Sequence, residues 1–195
     1  TLLAELLESN MNAMLFQVRP LNDAFYDSNY APWSRYLTGS EGTDPGWDVL
    51  SWMISECHAY GIEFHAWMNP YRVANIPSTT TKESYLNSLA TNNFARINPD
   101  LVASENIESN NRIPLILNPG EPEVKQYIRN VVMEIITNYD VDGVHFDDYF
   151  YPYSGISSDT TTYNTYKVGD ITIEDWRREN VNDVVRGIKE DIDAY

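Results

Sequence analysis

Apolar and polar residues alternate in three short stretches of the chain, residues 13–19, 62–68 and 143–146. Side chains two positions apart share one face of a strand, so each stretch predicts a strand with one apolar face. The other face becomes polar towards the C-terminal end of each stretch. The polar residues there are Gln17, Arg19, His65, Asn69, His145 and Asp147. This shared trend predicts three strands whose polar ends face a common site.

Between the strands, apolar residues recur at helical spacing. The predicted helices cover residues 1–9, a segment from the cap Asp44 to Gly61, 82–92, a segment that opens at Asn118, and 172–195. Residues 74–114 are predicted to be a long insertion with a hairpin near 113–117. Residues 21–46 and 153–170 are predicted loops, and in the last helix Val181, Val184, Ile188 and Ile192 are expected to face inward.

The alternation of strands and helices predicts the α/β class, with a parallel sheet covered by helices. Ligands of such folds bind beyond the C-terminal ends of the strands. A doubly wound sheet usually has apolar side chains on both strand faces. Polar inner faces therefore favour a barrel of the TIM type over that arrangement.

Composition narrows the range of partners. The chain of 195 residues has a formal net charge of −16, which argues against nucleic acid and against anionic membrane surfaces. The single cysteine, Cys57, excludes an internal disulfide and cysteine-based zinc sites. No apolar run approaches roughly 18 residues, so no membrane span is expected. The chain starts without Met, so we expect any targeting segment to have been cut away.

The stretch 140–152 carries the candidate chemistry, because its strand runs into the adjacent carboxylates of Asp147 and Asp148. Glycoside cleavage needs two carboxyl groups, about 5 Å apart for retention and about 6.5–9.5 Å for inversion. Neighbouring residues of a strand point to opposite faces, so these two are a poor pair. Asp147 is the predicted catalytic carboxylate, and Asp148 is predicted to be an orienting acid or a loop cap.

Other polar and aromatic residues near the strand ends are candidates for binding the substrate. His65 and His145 could bind sugar hydroxyls and support the carboxylate of Asp147, or be satisfied core histidines. Glu63 is interpreted as a buried partner of His65. The complete set of predicted substrate-binding residues is Gln17, Arg19, Trp33, His65, Trp67, Asn69, Arg72, His145 and Tyr149.

Several of these motifs are similar to those of glycosyl hydrolase-like family ten, bacterial envelope or secreted proteins with a (β/α)8 barrel. They include Phe16-Gln-Val-Arg-Pro20, His65-Ala-Trp-Met-Asn-Pro-Tyr-Arg72, Leu117-Asn-Pro-Gly120 and Asp175-Trp-Arg-Arg-Glu-Asn-Val-Asn182, beside the whole stretch 140–152. The segment Gly143-Val-His-Phe-Asp147 also resembles the fourth strand of α-amylase-type retaining glycosidases. In that motif the final Asp is the nucleophile.

The resemblance implies that residues 1–195 form part of a TIM-type (β/α)8 barrel, with strands two to four of eight. The first strand is then expected before Thr1, and the remaining four strands and the general acid are expected after Tyr195. Open edges of a partial barrel would favour self-association. The implied substrate is a bacterial envelope or extracellular polysaccharide, such as peptidoglycan glycan strands, and the implied location is extracytoplasmic. No redox cofactor and no metal are implied.

Two alternatives remain open. A divalent-metal hydrolase on the same barrel would use His65, His145, Asp147 and Asp148 as ligands. The sequence contains no His-x-His or His-x-x-x-His spacing, which disfavours that interpretation. The other alternative is a non-catalytic module that binds glycans in the same cleft.

Overall fold

Strands and helices alternate along the chain, and the strands form two sheets. The computed structural model describes residues 2–104, 110–147, 149–152 and 156–195. The strands are β1 Ala13–Arg19, β2 Glu63–Met68, β3 Arg72–Pro77, β4 Val102–Ser104, β5 Arg112–Leu117 and β6 Gly143–Phe146. The helices are α1 Leu2–Glu8, α2 Arg35–Thr38, α3 Val49–Ala59, α4 Lys82–Ser88, α5 Phe94–Ile97, α6 Pro122–Asn138, α7 Thr160–Tyr166 and α8 Ile173–Ala194.

The main sheet has the order β1-β2-β6, and both pairs of neighbours are parallel. These are the three strands predicted from the alternation, with β2 beginning one residue later than expected. The pairing is in register, so that Leu15 lies beside His65 and His65 beside Gly143. Because paired residues of a sheet point to the same face, all side chains of one row across the strands lie on the same face of the sheet.

The two faces of the main sheet differ as the sequence predicts. On one face, Phe64 and Ala66 are fully buried and Met68 is 1% exposed. Helix α6 packs over this face, with Ile128 and Val131 close to Met68. The opposite face, called here the open face, carries Leu15, Gln17, Glu63, His65, Trp67 and His145, all exposed or half-buried. Glu63 lies beside His65 as predicted, but its side chain is 58% exposed, so its predicted burial is wrong.

The segment predicted as an irregular insertion instead contains most of the second sheet. Its order is β3-β5-β4, with antiparallel pairs throughout. The hairpin predicted near 113–117 is present in part, because β5 is one of its arms and pairs antiparallel with the preceding strand β4. The prediction did not include the pairing of β5 with the more distant β3. Helix α4 also ends at Ser88, short of residue 92. Asn93 begins the next helix, α5, with its side chain accepting a hydrogen bond from the N–H of Ala95 at 2.9 Å.

Helix α3 begins later than predicted. The carboxylate of Asp44 accepts a hydrogen bond from the N–H of Gly46, whose φ of 80° is left-handed, so this segment is a turn. The N-cap is Asp48, which accepts from the N–H of Ser51 at 2.9 Å. At the other end Gly61 also has a left-handed φ, of 70°, and it terminates the helix as predicted.

Part of the predicted polar loop 153–170 is helix α7, although residues 153–155 lie outside the described ranges. Asp159 precedes this helix, and its buried carboxylate receives two hydrogen bonds from Arg177, at 2.7 and 2.6 Å. Thr162 donates to Glu121 at 2.7 Å. These contacts with distant residues stabilise a threonine-rich helix that propensity alone does not favour.

Helix α8 begins at the predicted cap, where Thr172 accepts a hydrogen bond from the N–H of Asp175 at 3.1 Å. Val184 and Ile188 are buried as predicted, whereas Ile192 is 36% exposed, which corrects its predicted inward position. The buried ring of Trp176 packs directly on Gly120, so closely that a Cβ at Gly120 would overlap it. None of the helices in the described ranges is long and apolar enough to cross a bilayer.

We expect Gly120→Ala to destabilise the protein by about 1–3 kcal/mol, because the added methyl group must displace the Trp176 ring. Trp176→Phe removes the ring atoms that would clash. The double variant should therefore be more stable than the sum of the two single effects predicts. Urea denaturation of the three variants measures this coupling, and strictly additive free energies of unfolding would contradict it.

Candidate active site

The segments that follow the three parallel strands converge on one cleft. Leu21 follows β1, Arg72 follows β2, and Tyr149 follows β6, and all three line a cavity of about 620 Å³. Strands β3 and β5 form its other wall, through residues that include Ile76 and Leu115. The cleft therefore lies beyond the carboxyl ends of the strands, where ligands of parallel α/β folds bind.

Asp147 lies immediately after β6, two residues before Tyr149, which lines this cleft. Its Oδ1 accepts a hydrogen bond from the backbone N–H of Tyr149 at 3.1 Å, which fixes the carboxyl group within a local turn. The side chain is half-buried, so it remains accessible to a ligand. Asp148, the second predicted catalytic residue, lies outside the described residues.

His65 occupies the middle of the open face. Its Nε2 lies 3.1 Å from the Oε2 of Glu63, the partner predicted from their shared face. Its ring also covers Gly143 of the neighbouring strand, where a Cβ would come within 2.5 Å of Nδ1. The glycine therefore leaves room for the imidazole between β2 and β6.

The next row of the open face brings together three predicted binding residues. Gln17 pairs with Trp67 and Trp67 pairs with His145, so all three side chains point the same way. The rings of Trp67 and His145 meet edge to face, with centroids 6.1 Å apart. The buried Nε1 of Trp67 has no hydrogen-bond partner among the described residues. The row thus combines an aromatic surface with polar groups suited to sugar hydroxyls.

Arg19 does not lie on the open face, which corrects the sequence prediction. The pairing of β1 with β2 shifts between Gln17 and Arg19, so the alternation of faces is broken there. Arg19 is 1% exposed and donates to the carbonyl oxygens of Asn69, at 2.6 Å, and Pro70, at 3.3 Å. It also contacts the hydroxyl of Tyr127 at 3.3 Å. These contacts favour a scaffold role for Arg19.

Asn69 is also buried, with 1% of its surface exposed. Its side-chain amide donates to the carbonyl of Pro20 at 2.9 Å, which joins the segments after β1 and β2. The burial of Asn69 favours a role in shaping the site over contact with substrate.

Trp33 is half-buried and forms an isolated bridge with Ala24, away from the lining of the cleft.

Arg72 and Tyr149, both predicted to bind substrate, line the cleft together. The guanidinium carbon of Arg72 lies 4.7 Å from the centroid of the Tyr149 ring. Stacking of this kind holds the guanidinium by its face and leaves its N–H groups able to donate in the plane.

The sequence analysis missed other residues of the cleft. These are Arg35, Tyr36, Asn75, Tyr85 and Arg112. They come from α2, β3, α4 and β5, so no local spacing connects them. The continuous apolar run 113–117 was the one local signal that could have indicated a strand lining the site.

Asp142, which precedes β6, was not singled out by sequence. Its Oδ2 accepts hydrogen bonds from the N–H of Phe64, at 2.7 Å, and from His58, at 2.8 Å. The Phe64 N–H and then His58 hold the pKa of the Asp142 carboxyl below its ordinary value. This interaction joins the start of β6 to β2 and so positions the strand that leads to Asp147.

The three described ligands of the metal-hydrolase alternative, His65, His145 and Asp147, do not form a metal-binding group. Among the residues described, no group of three or more His, Cys, Asp or Glu side chains is arranged to hold a metal ion. Asp148, one of the four ligands in that alternative, is not among them.

The fold is a parallel β/α unit with a polar cleft at the carboxyl ends of its strands. It is part of a barrel of the TIM-type (β/α)8 class. The family model described as glycosyl hydrolase-like 10 matches residues 1–195, and the chain belongs to that family. It is 43% identical over 197 residues to the glycosyl hydrolase YngK of Bacillus subtilis, covering 99% of this chain and 36% of that protein.

The chain is also 37% identical over 185 residues to the glycosyl hydrolase DigH of Escherichia coli, covering 93% of this chain and 41% of that protein. It thus spans about two fifths of the length of these curated relatives. Among solved structures, α-L-fucosidase isoenzyme 2 of Paenibacillus thiaminolyticus superposes with a TM-score of 0.59 and 13% identity, covering 98% of this chain and 26% of that one.

A hypothetical protein of Ruminiclostridium thermocellum superposes with a TM-score of 0.57 and 12% identity. That match covers 94% of this chain and 82% of the other. At such identities the likeness concerns the fold, and it confirms the predicted fold class.

We expect Asp142→Asn to lower the free energy of unfolding at pH 7 by about 1 kcal/mol, because a partly exposed, charge-assisted hydrogen bond is lost. Folding depresses the pKa of Asp142, so this contribution is complete at neutral pH. It disappears as the pH falls from about 4, the ordinary Asp value, through the lower folded pKa. Urea denaturation at several pH values measures the difference.

Asp140→Asn provides the matched control. Asp140 lies 3.8 Å from the other ring nitrogen of His58, but its side chain is 96% exposed. Its substitution should change stability by no more than a few tenths of a kcal/mol. A difference between Asp142→Asn and wild type that stays constant down to pH 2.5 would contradict the assignment.

Proposed function

We propose that this chain contributes the catalytic carboxylate of a glycoside hydrolase that cleaves O-glycosidic bonds in a bacterial envelope or extracellular polysaccharide. Peptidoglycan glycan strands are the first substrate to test. The observation that carries the proposal is the position of Asp147, at the carboxyl end of β6 and two residues from Tyr149, which lines the cleft. Family membership supports the same reaction class.

Asp147 acts in this proposal as nucleophile or general base. The hydrogen bond from the Tyr149 N–H occupies Oδ1 and orients the carboxyl group, while the other oxygen remains available to attack a sugar carbon or a water. A second carboxyl group must then stand about 5 Å away for retention, or about 6.5–9.5 Å away for inversion. The open face supplies groups for sugar hydroxyls, including His65 and His145.

Residues 1–195 provide strands two to four of the barrel in this proposal, and the general acid belongs to another part of the protein. The location is extracytoplasmic, because the proposed substrate lies outside the cytoplasm. The free edges of β1 and β6 in the described sheet are the surfaces on which an isolated chain would self-associate.

We expect Asp147→Asn to reduce the rate of glycan cleavage by the full-length protein at least about 100-fold, because an amide can serve neither as nucleophile nor as base. Reducing ends released from purified peptidoglycan glycan strands measure the rate.

Asp170→Asn is the matched control, since Asp170 is an exposed acid between α7 and α8, and its activity should equal that of wild type. Full activity of Asp147→Asn would refute its catalytic role. If the wild-type protein binds the strands without cleaving them, the site is a glycan-binding module.

A further inference from the structure

The cleft differs in charge from the rest of the chain. The protein has 29 acidic and 13 basic residues, yet three arginines line the cleft. They are Arg35, Arg72 and Arg112, and no Asp or Glu is found among the described lining residues. A cleft whose described charged lining residues are all arginines is suited to an anion, although the protein as a whole is acidic.

Two of these arginines have no carboxylate of the described residues within ion-pair distance. Arg72 rests against the ring of Tyr149, and Arg112 donates to the carbonyl oxygen of Asn75 at 2.8 Å. Both guanidinium groups therefore keep N–H donors that an incoming anion can use. Among the described residues that line the cleft, no acid neutralises either charge.

The third arginine is only weakly opposed. Arg35 lies 3.9 Å from a carboxylate oxygen of Glu41, which is near the outer limit for an ion pair. Glu41 is already committed to other donors, since it accepts from the side chain of Asn93 at 2.7 Å and from the N–H of Ala90 at 3.2 Å. Arg35 thus adds to the positive potential of the cleft.

Arg72 and Arg112 lie along the same wall of the cleft. Arg72 is the first residue of β3, whereas the backbone of Arg112 pairs with Pro77 at the far end of that strand. The guanidinium group of Arg112 reaches back along β3 to the carbonyl oxygen of Asn75, between those two positions. Both guanidinium groups can therefore serve one acidic ligand that lies along β3.

The cleft also offers aromatic surface beside the cations. Tyr36 is 66% exposed and its ring stacks on Phe25, with centroids 6.5 Å apart. Tyr85 is half-buried, and its burial raises its pKa, so it stays a neutral phenol beside Arg35. Exposed rings next to arginines suit a ligand that has both ring faces and acidic groups.

We propose that this cleft binds an acidic glycan, with the guanidinium groups of Arg72 and Arg112 pairing with its carboxylates. A planar carboxylate matches the forked donors of a guanidinium, which favours it over a tetrahedral sulfate or phosphate. This assignment rests on the proposed function, because it names the substrate class of the same site.

The test measures binding separately from cleavage, by calorimetry on the full-length protein in the Asp147→Asn background. The probes are peptidoglycan glycan strands and oligogalacturonate, each with free carboxylates and with the carboxylates amidated, and a sulfated glucan. At least one of the two acidic glycans should bind, and amidation should weaken its binding at least about 10-fold. Arg72→Gln and Arg112→Gln should each weaken that binding about 10-fold to 100-fold, without affecting the amidated form.

Arg178→Gln is the matched control, since Arg178 is an exposed arginine of α8 that pairs with Asp175, away from the cleft. It should bind like the parent. The proposal is overturned if neither acidic glycan binds in a carboxylate-dependent way, or if the arginine variants weaken both forms equally. Equal affinity for the sulfated glucan would overturn the assignment to carboxylates.

The outcomes also separate this inference from the proposed function. Carboxylate-dependent binding without cleavage by the wild-type protein would support the acidic ligand and refute the hydrolase. Cleavage of carboxylated and amidated strands at equal rates, with equal affinities, would support the hydrolase and refute the acidic ligand.

Discussion

The geometry of the site depends on the hydrogen bond between the N–H of Phe64 and the carboxylate of Asp142. This hydrogen bond fixes the start of β6 against β2, and the pairing of His65 with Gly143 and of Trp67 with His145 follows from it. A slip of one residue would turn His145 towards the helices and Phe146 towards solvent. With the register fixed, the segments after the parallel strands reach the same edge and enclose one cleft.

The same register explains how one short strand serves two purposes. Phe146 packs on the helix-covered face, whereas His145 meets the edge of Trp67 on the open face. Gly143 has no side chain because the ring of His65 occupies that space. The side chains that stabilise the fold and those that could bind a ligand therefore lie on opposite faces of the same strand. Substitutions on the open face should consequently affect ligand binding more than folding.

Local patterns were sufficient to predict the main sheet, because alternation within β1, β2 and β6 records which face each residue occupies. They failed where distant contacts decide the structure. Helix α7 depends on Asp159 meeting Arg177, and β5 depends on β3. The residues of the site likewise divide into those that local sequence indicates and those that it does not. Asp147 and Tyr149 follow a recognisable strand, but Arg35 and Arg112 reach the cleft from segments that only the fold brings together.

The strong negative charge of the chain does not conflict with an acidic ligand, because the surface acids and the arginines of the cleft act on a ligand over different distances. At physiological ionic strength the Debye length is about 8 Å, so exposed acids elsewhere on the surface are largely screened from a ligand in the cleft. The described charged residues that line the cleft are arginines, and the low dielectric of the surrounding protein strengthens their effect. Surface charge would then slow the approach of an acidic polymer at low salt, while the arginines determine how tightly it is held.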